Sequence, residues 1–227
     1  MAKKKVIKRK WKLYSISIFL LVLISSCFVM YLLFKEPIKN IYIKGNTILK
    51  DDEIISIAGL TKYPSFLTTW SNEIKIKLVK NSYIKDVKVI KKFFNTIEIE
   101  ITENKPLFIK ELDKKLVFEN KKEIENYKAN LVVPTLINSI DKKYYEKFIE
   151  EMSKVHPEIL NKISEIEYKP TEYDQGRFLL YMNDGNYVYL TLTKFNKINY
   201  YNKTYKELNG KKGILHFDSG DHFEIKE

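Results

Sequence analysis

The most prominent hydrophobic feature of the chain is an uncharged run of 22 residues from Leu13 to Phe34. Seven cations and no acidic residue precede it: Lys3, Lys4, Lys5, Lys8, Arg9, Lys10 and Lys12. About 20 apolar residues in an α-helix are enough to cross the hydrocarbon core of a bilayer, and clustered Lys and Arg stay on the cytoplasmic side. The pattern predicts a cytoplasmic basic tail over residues 1–12, a single transmembrane helix over residues 13–34 and an extracytoplasmic remainder.

Two other interpretations of this run remain open. A cleaved signal peptide has an apolar core of about 7 to 15 residues and a small-residue cleavage site, whereas apolar residues here continue to Phe34. The tetrapeptide Ile24-Ser25-Ser26-Cys27 resembles the cleavage box of bacterial lipoproteins, in which the cysteine is lipidated. Apolar residues follow from Phe28, where a mature lipoprotein usually has a polar linker, so a cysteine that simply lies in a membrane helix is favoured.

After the apolar run, residues 36–104 have the pattern of a small α+β unit. An alternating stretch from Ile38 to Lys44 predicts a strand, and Gly45-Asn46 is a turn signal. A helix is predicted to start near Asp51, because acidic residues in a first turn meet the positive end of the helix dipole. Gly59 is well placed to end this helix.

A second helix is predicted after the loop that contains Tyr63-Pro64-Ser65, with Thr68 or Thr69 as its N-cap. Its apolar residues recur at a spacing of four and therefore share one face: Trp70, Ile74 and Leu78.

Two strands complete the first unit. Tyr83–Val89 has a period-two pattern interleaved with lysine, and Thr96–Glu103 alternates throughout, with isoleucines on one face. The intervening Phe93-Phe94-Asn95 is short enough for a hairpin. Glu98 and Glu100 are predicted to lie on a solvated strand face. The order β-α-α-β-β predicts a three-stranded sheet that covers two helices.

These residues resemble a known family. The string Ile41–Asn46, the helix pair and the segment Thr96–Pro106, behind one basic-flanked membrane helix, are similar to the POTRA domain of the FtsQ/DivIB family of bacterial cell-division proteins. Phe94 stands where a proline is usual, and Asn104 stands where an arginine often follows the glutamate. The resemblance implies a POTRA domain over residues 36–104 and a β-domain over residues 105–227.

The second unit also reads as α+β, with helices packed on a mixed sheet. The predicted strands are Leu107–Lys110, Leu116–Phe118, a strand around Ile163–Tyr168, and Gly213–Asp218, with a possible returning strand after Ser219-Gly220-Asp221. A hairpin is predicted from Arg177–Met182 and Asn186–Leu192 across Asn183-Asp184-Gly185. Predicted helices follow Asp141, before His156-Pro157, and follow Thr193 as a cap, before Asn209-Gly210 as a stop.

Composition limits the function classes. The net charge is +11, but the N-terminal tail supplies +7 of it, so the high isoelectric point reflects membrane topology and not nucleic-acid binding. Cys27 is the single cysteine of the chain, which excludes a disulfide-stapled scaffold. The sequence contains no convincing nucleophile–base pair or phosphate-binding loop, and we predict neither a cofactor nor an enzymatic activity.

One polar cluster near the C-terminus could in principle ligate a metal: His216, Asp218, Asp221 and His222. Turns need polar residues in any case, and strand alternation places only His216 and Asp218 on a common face. We therefore predict no metal site.

The resemblance implies a non-enzymatic scaffold at the division septum. In the family, the β-domain recruits two small bitopic coiled-coil division proteins, of the FtsL and DivIC/FtsB type, through its last strand and the turn after it. The matching positions are His216, Phe217, Ser219 and Gly220. Phe217 is the predicted anchor, although its alternation with Leu215 leaves a core position open. The alternatives are a cell-surface lipoprotein and a POTRA-type chaperone or assembly module.

Overall fold

The computed structural model describes residues 2–208 and 210–225, with side chains from Tyr14 onward. A long helix, α1 (Ala2–Lys35), comes first, and its segment Tyr14–Lys35 is long and apolar enough to cross a membrane. None of this segment is buried against the rest of the protein. The chain divides into two compact units between Glu103 and Asn104, and the first of them includes α1. The predicted α+β class with an N-terminal apolar helix is confirmed.

The first unit has the predicted order of elements. Its elements are β1 (Asn40–Lys44), α2 (Asp51–Ala58), α3 (Ser71–Val79), β2 (Ile84–Lys92) and β3 (Thr96–Glu103). The strands form a sheet in the order β1-β3-β2, in which β1 runs parallel and β2 antiparallel to β3. β2 and β3 form the predicted hairpin, and Gly59 ends α2 in the left-handed conformation with φ of +75°.

The predicted start of α3 is wrong. The N-cap residue is Trp70 and not Thr68 or Thr69, and the hydroxyl of Thr69 donates to the carbonyl of Ser65 at 2.8 Å, within the preceding turn. Because the backbone of Trp70 is extended, its side chain leaves the face that buries Ile74 and Leu78 and is 71% exposed.

β3 is the central strand, and buried side chains lie on both of its faces. Its isoleucines are buried as predicted: Ile97, Ile99 and Ile101. The prediction of a solvated Glu98 is wrong, since Glu98 is buried and paired with both Lys44 and Lys92. Hydrogen bonds from Lys44 and then from Lys92 lower the pKa of Glu98 to about 2. Glu100 is more exposed and pairs with Lys88 at 3.3 Å.

The carboxylate of Glu103 fastens the loop that follows β1. One oxygen accepts the backbone N–H groups of Thr47 at 2.9 Å and Ile48 at 2.8 Å, and the other accepts that of Leu49 at 2.8 Å. Burial works to raise the pKa of Glu103, but these donors and the Thr47 hydroxyl together hold it below its ordinary value.

The second unit is built on a nine-stranded sheet. Its strands are β4 (Pro106–Lys110), β5 (Lys115–Phe118), β6 (Glu123–Ile124), β7 (Thr135–Leu136), β8 (Ile163–Tyr168), β9 (Arg177–Met182), β10 (Tyr187–Thr191), β11 (Gly213–His216) and β12 (His222–Ile225). Their order across the sheet is β12-β11-β10-β9-β8-β7-β4-β5-β6. The short strands β6 and β7 were not predicted from the sequence.

Helical segments pack on one face of this sheet and build the core. They are α4 (Lys142–Ser153), α5 (Pro157–Leu160), a 3₁₀ segment (Leu192–Tyr200) and α6 (Tyr201–Glu207). Phe148 of α4 stacks on Phe178 of β9 with ring centroids 4.6 Å apart, and both rings meet Phe195 edge-on. These aromatic contacts join the helical layer to the sheet.

Two helix boundaries test the predicted caps. Asp141 caps α4 as predicted and accepts the N–H of Lys143 at 3.1 Å. The prediction of Thr193 as a cap is wrong, because the buried Leu192 already begins the 3₁₀ segment. Asn209 and Gly210 were predicted to end the last helix. Asn209 lies outside the described residues, and Gly210 has a φ of +81°.

Replacing Glu103 should destabilise the first unit in a pH-dependent way. Because its folded pKa is lowered, its contribution is present above the unfolded value of about 4.3 and is lost as pH falls through the folded value. Glu103→Gln should lower the free energy of unfolding by about 2 kcal/mol at neutral pH and remove this part of the acid dependence. Denaturant unfolding across pH measures both effects.

Glu100→Gln is the matched control on the same strand. Its pair with Lys88 is exposed to solvent, so it should cost less than about 0.5 kcal/mol. Equal effects of the two substitutions would contradict the role assigned to Glu103.

Candidate functional site

The C-terminal end of the second sheet is formed by β11 and β12. β11 runs parallel to β10, with Leu215 opposite Val188, and antiparallel to β12, with Leu215 opposite Phe223. β12 is the outermost strand, and its residues are exposed except for the half-buried Phe223. The end of the sheet that carries the sequence-predicted site is therefore an edge.

Two hydrogen bonds fix which way the backbone of β11 faces. The N–H of Phe217 donates to the carbonyl of Tyr189 at 3.0 Å, and the N–H of Gly213 donates to the side-chain oxygen of Asn186 at 3.0 Å. Alternate residues of a strand direct their backbone groups to the same side. The backbone groups of Gly213, Leu215 and Phe217 therefore face β10.

The backbone groups of Ile214 and His216 face β12 instead, and this determines which backbone groups of β12 remain free. The backbone groups of their register partners face β11: Glu224 lies opposite Ile214, and His222 lies opposite His216. The backbone N–H and C=O groups of Phe223 and Ile225 consequently point away from the sheet. No described strand pairs with that side of β12.

The turn between β11 and β12 is held by three basic side chains. Arg177 donates to the carboxylate of Asp218 at 2.7 Å, Lys194 donates to the carbonyl of Asp218 at 2.8 Å, and Lys197 reaches the carboxylate of Asp221 at 2.5 Å. Burial works to raise the pKa of Asp218, but the hydrogen bond and charge of Arg177 hold it below its ordinary value. The turn therefore presents a fixed shape.

A ladder of stacked side chains crosses the last four strands on the face opposite the core. The guanidinium of Arg177 lies 3.6 Å from the ring centroid of Tyr189, which stacks on His216 at 5.3 Å. His216 stacks in turn on His222, with centroids 4.4 Å apart and planes 3° from parallel. The ladder reaches the edge strand and helps to hold it in register.

The four predicted contact residues lie close together at the end of β11 and in the turn after it, but their side chains have different surroundings. His216 is partly exposed and belongs to the ladder, while Ser219 and Gly220 are exposed in the turn. Gly220 has a φ of +124°, which explains a glycine at this position. Phe217 is 6% exposed and packs in the core, the position that its alternation with Leu215 left open.

The polar cluster at this turn has other partners than a metal. Asp218 is paired with Arg177 and Asp221 with Lys197, while the rings of His216 and His222 are stacked on each other. Among residues 2–208 and 210–225, no group of three or more His, Cys, Asp or Glu side chains is arranged to hold a metal ion.

Sequence reasoning missed the ladder and the free groups of β12. The ladder joins residues from four strands, and its only sequence signal is the polar or aromatic residue at alternate positions of each strand. That signal becomes readable only once the strand order is known.

Comparisons with known proteins agree with this architecture. A family model described as "POTRA domain, FtsQ-type" matches residues 36–104, and one described as "Cell division protein FtsQ/DivIB, C-terminal" matches residues 112–219. Cell division protein DivIB of Bacillus anthracis is 32% identical over 203 residues, which cover 86% of this chain and 74% of that protein. DivIB of Brevibacillus brevis is 31% identical over 209 residues, which cover 87% and 79%.

A solved structure is also similar. The major extracytoplasmic domain of DivIB from Geobacillus stearothermophilus, described as the trans isomer, matches with a TM-score of 0.38 and 22% identity, over 48% of this chain and 96% of that chain. The two family models and the long matches to the Bacillus anthracis and Brevibacillus brevis proteins carry the assignment: the chain belongs to the FtsQ/DivIB family of bacterial cell-division proteins.

Proposed function

We propose that this protein is a non-enzymatic, bitopic membrane scaffold that stabilises the division machinery at the septum by binding other bitopic division proteins. The family membership supports a role in division, and α1 supports a single membrane anchor. We assign residues 36–104 to a POTRA domain and residues 105–227 to the β-domain that carries the docking edge. The expected partners are the small coiled-coil proteins of the FtsL and DivIC/FtsB type.

The observation that carries this proposal is the outward-facing backbone of β12. An extended segment of a partner can add to such an edge, since backbone hydrogen bonds supply affinity and alternate side chains supply specificity. Phe223 and Ile225 present the free backbone groups. Ile225 is also 54% exposed, so it is accessible to a partner segment. His216, Ser219 and Gly220 lie beside this edge as the proposed side-chain and turn contacts.

The opposite edge of the same sheet is less suited to docking. It is formed by β6, which has two residues, Glu123 and Ile124. Glu123 is already engaged by Lys110 at 2.8 Å and by the hydroxyl of Tyr145 at 2.7 Å. A strand of two residues offers too few backbone groups for stable strand addition.

The topology follows from the charge bias. Seven cations precede Leu13, so we place the tail in the cytoplasm and both units outside.

Protease added to intact spheroplasts should digest residues beyond the apolar segment and spare the tail, because only the tail lies on the cytoplasmic side. Protection of the C-terminal unit would contradict this orientation.

Proline substitution at the edge tests the docking mode. Ile225→Pro removes an outward N–H and no hydrogen bond within the sheet, and edge strands tolerate proline at such positions. We expect the full-length variant to keep its melting temperature and to lose most of its affinity for the extracytoplasmic segments of the coiled-coil partners. Calorimetry or surface-based binding assays measure the affinity.

Two neighbouring variants serve as controls. Ile225→Ala keeps the N–H and should keep most of the affinity, while Glu224→Pro removes an inward N–H and should weaken the β11–β12 pair itself. If Ile225→Pro binds the partners as tightly as the unsubstituted protein, β12 is not the docking edge.

Truncation of Phe217 separates a core role from a contact role. Because the ring is buried against the sheet core, Phe217→Ala should lower the free energy of unfolding by about 3 kcal/mol. Ser219→Ala, in the exposed turn, should change it by less than about 0.5 kcal/mol. Unchanged stability of Phe217→Ala together with lost partner binding would instead favour the surface anchor predicted from the sequence.

A further inference from the structure

The membrane helix joins the first unit without a flexible linker. α1 ends at Lys35, and the next residue is already bound: the carbonyl of Glu36 accepts the N–H of Phe66 at 2.9 Å. The N–H of Ile38 then donates to the carbonyl of Pro64 at 3.0 Å. These bonds fix one end of the first unit at the point where the chain leaves the membrane.

The β2–β3 hairpin is fastened to the same place. The side-chain amide of Asn95 donates to the carbonyl of Pro37 at 3.1 Å, and its backbone carbonyl accepts the N–H of Lys39 at 2.9 Å. Two extended residues span at most about 7 Å, so Asn95 lies within about 10 Å of Lys35 once this hydrogen bond is added. The hairpin tip, which we define as Phe93, Phe94 and Asn95, is therefore close to the membrane surface.

This tip carries two phenylalanines that the described part of the chain leaves uncovered. Phe93 is 90% and Phe94 86% exposed. Phe94 also has a φ of +61°, a conformation that is unfavourable for a bulky residue and that Asn or Gly adopts far more readily. A solvated hairpin would be better served by polar residues in both positions.

A lipid surface is the partner that this location favours. The headgroup layer on each side of a bilayer is about 5–8 Å thick, given a core of about 30 Å and a total of about 40–45 Å. Tryptophan and tyrosine are enriched at this level because their rings are amphipathic, and exposed phenylalanines of surface-bound segments bury their rings at the headgroup–acyl boundary. Lys35 and Lys39 flank the attachment point, where Lys39 pairs with Glu36 at 3.5 Å.

Contacts of Lys91 also hold the hairpin against the loop that binds Glu36. Lys91, which precedes the tip on β2, donates to the carbonyl of Thr69 at 2.9 Å and to that of Phe66, and its ammonium lies 4.3 Å from the centroid of the Phe66 ring. The loop that binds Glu36 and the hairpin that binds Pro37 are thereby joined to each other.

We propose that the hairpin tip inserts Phe93 and Phe94 into the headgroup–acyl boundary of the membrane that α1 crosses, on the side where the first unit emerges. The helix and the tip then form two points of attachment, which restrict the tilt of the first unit relative to the membrane. This inference rests on the membrane-spanning role of α1 in the proposed function.

Lipid quenching of a single tryptophan tests the insertion. The full-length chain carries Trp11 and Trp70, so the background is Trp11→Phe with Trp70→Phe, and Phe94→Trp supplies the reporter. The protein is reconstituted into phosphatidylcholine vesicles with and without bromine on the upper acyl carbons. We expect bromine to quench most of the reporter emission, and the emission to be blue-shifted relative to a water-exposed tryptophan.

Lys80→Trp in the same background is the matched control. Lys80 is exposed and precedes the far end of β2, whose nine residues span about 30 Å. Its emission should be unaffected by bromine. If Phe94→Trp gives the same unquenched, red-shifted emission as Lys80→Trp, the tip does not enter the bilayer and the proposal is overturned.

Two further results distinguish the remaining explanations. Vesicle flotation at high pH reports the anchor separately: protein that floats without quenching contradicts only the insertion, while protein that does not float contradicts the membrane role of α1. If the tip is unquenched and Phe93→Ser with Phe94→Ser abolishes binding of another division protein, the tip is a protein-docking site and the lipid proposal fails.

Discussion

The free backbone edge of β12 is the constraint on which the functional account depends. Backbone donors and acceptors are satisfied inside a sheet, but an outer strand leaves every second residue unpaired on one side. In this protein those residues are Phe223 and Ile225, because the neighbouring strand already pairs with Glu224 and His222. The stacked ladder and the Arg177–Asp218 pair hold this edge in a fixed register, so that the proposed partner segment would meet a preformed template.

The first unit connects a membrane helix to a folded domain. Glu36 and Pro37 are bound into the unit at once, and Glu103 fastens the loop at the opposite end of the sheet. The hairpin tip with Phe93 and Phe94 lies at the membrane-proximal end, where exposed aromatic side chains have a lipid surface within reach.

Local signals in the sequence predicted much of the fold. The alternation of β3, the left-handed glycine after α2 and the Asp141 cap all depend on residues close together in the chain, so the pattern was sufficient. Trp70 was misplaced because helical spacing alone does not reveal that its backbone is extended.

Features that combine distant segments were not predicted. The burial of Glu98 requires lysines from two other strands, and its own strand shows only an alternating acid. In the candidate site, the sequence located β11 and the turn after it and left a core position of Phe217 open, but it did not reveal the free backbone groups of Phe223 and Ile225 on β12. Those depend on which strand lies on each side of β11, and an alternating pattern carries no information about that order.

Amide hydrogen exchange, with and without the extracytoplasmic segment of a coiled-coil partner, tests the docking edge most directly. Exchange read out residue by residue in β12 should show slowing at Phe223 and Ile225 on binding, while the amide of Glu224 is protected in both states. Slowing confined to other parts of the chain, with Phe223 and Ile225 exchanging as in the free protein, would contradict strand addition at β12.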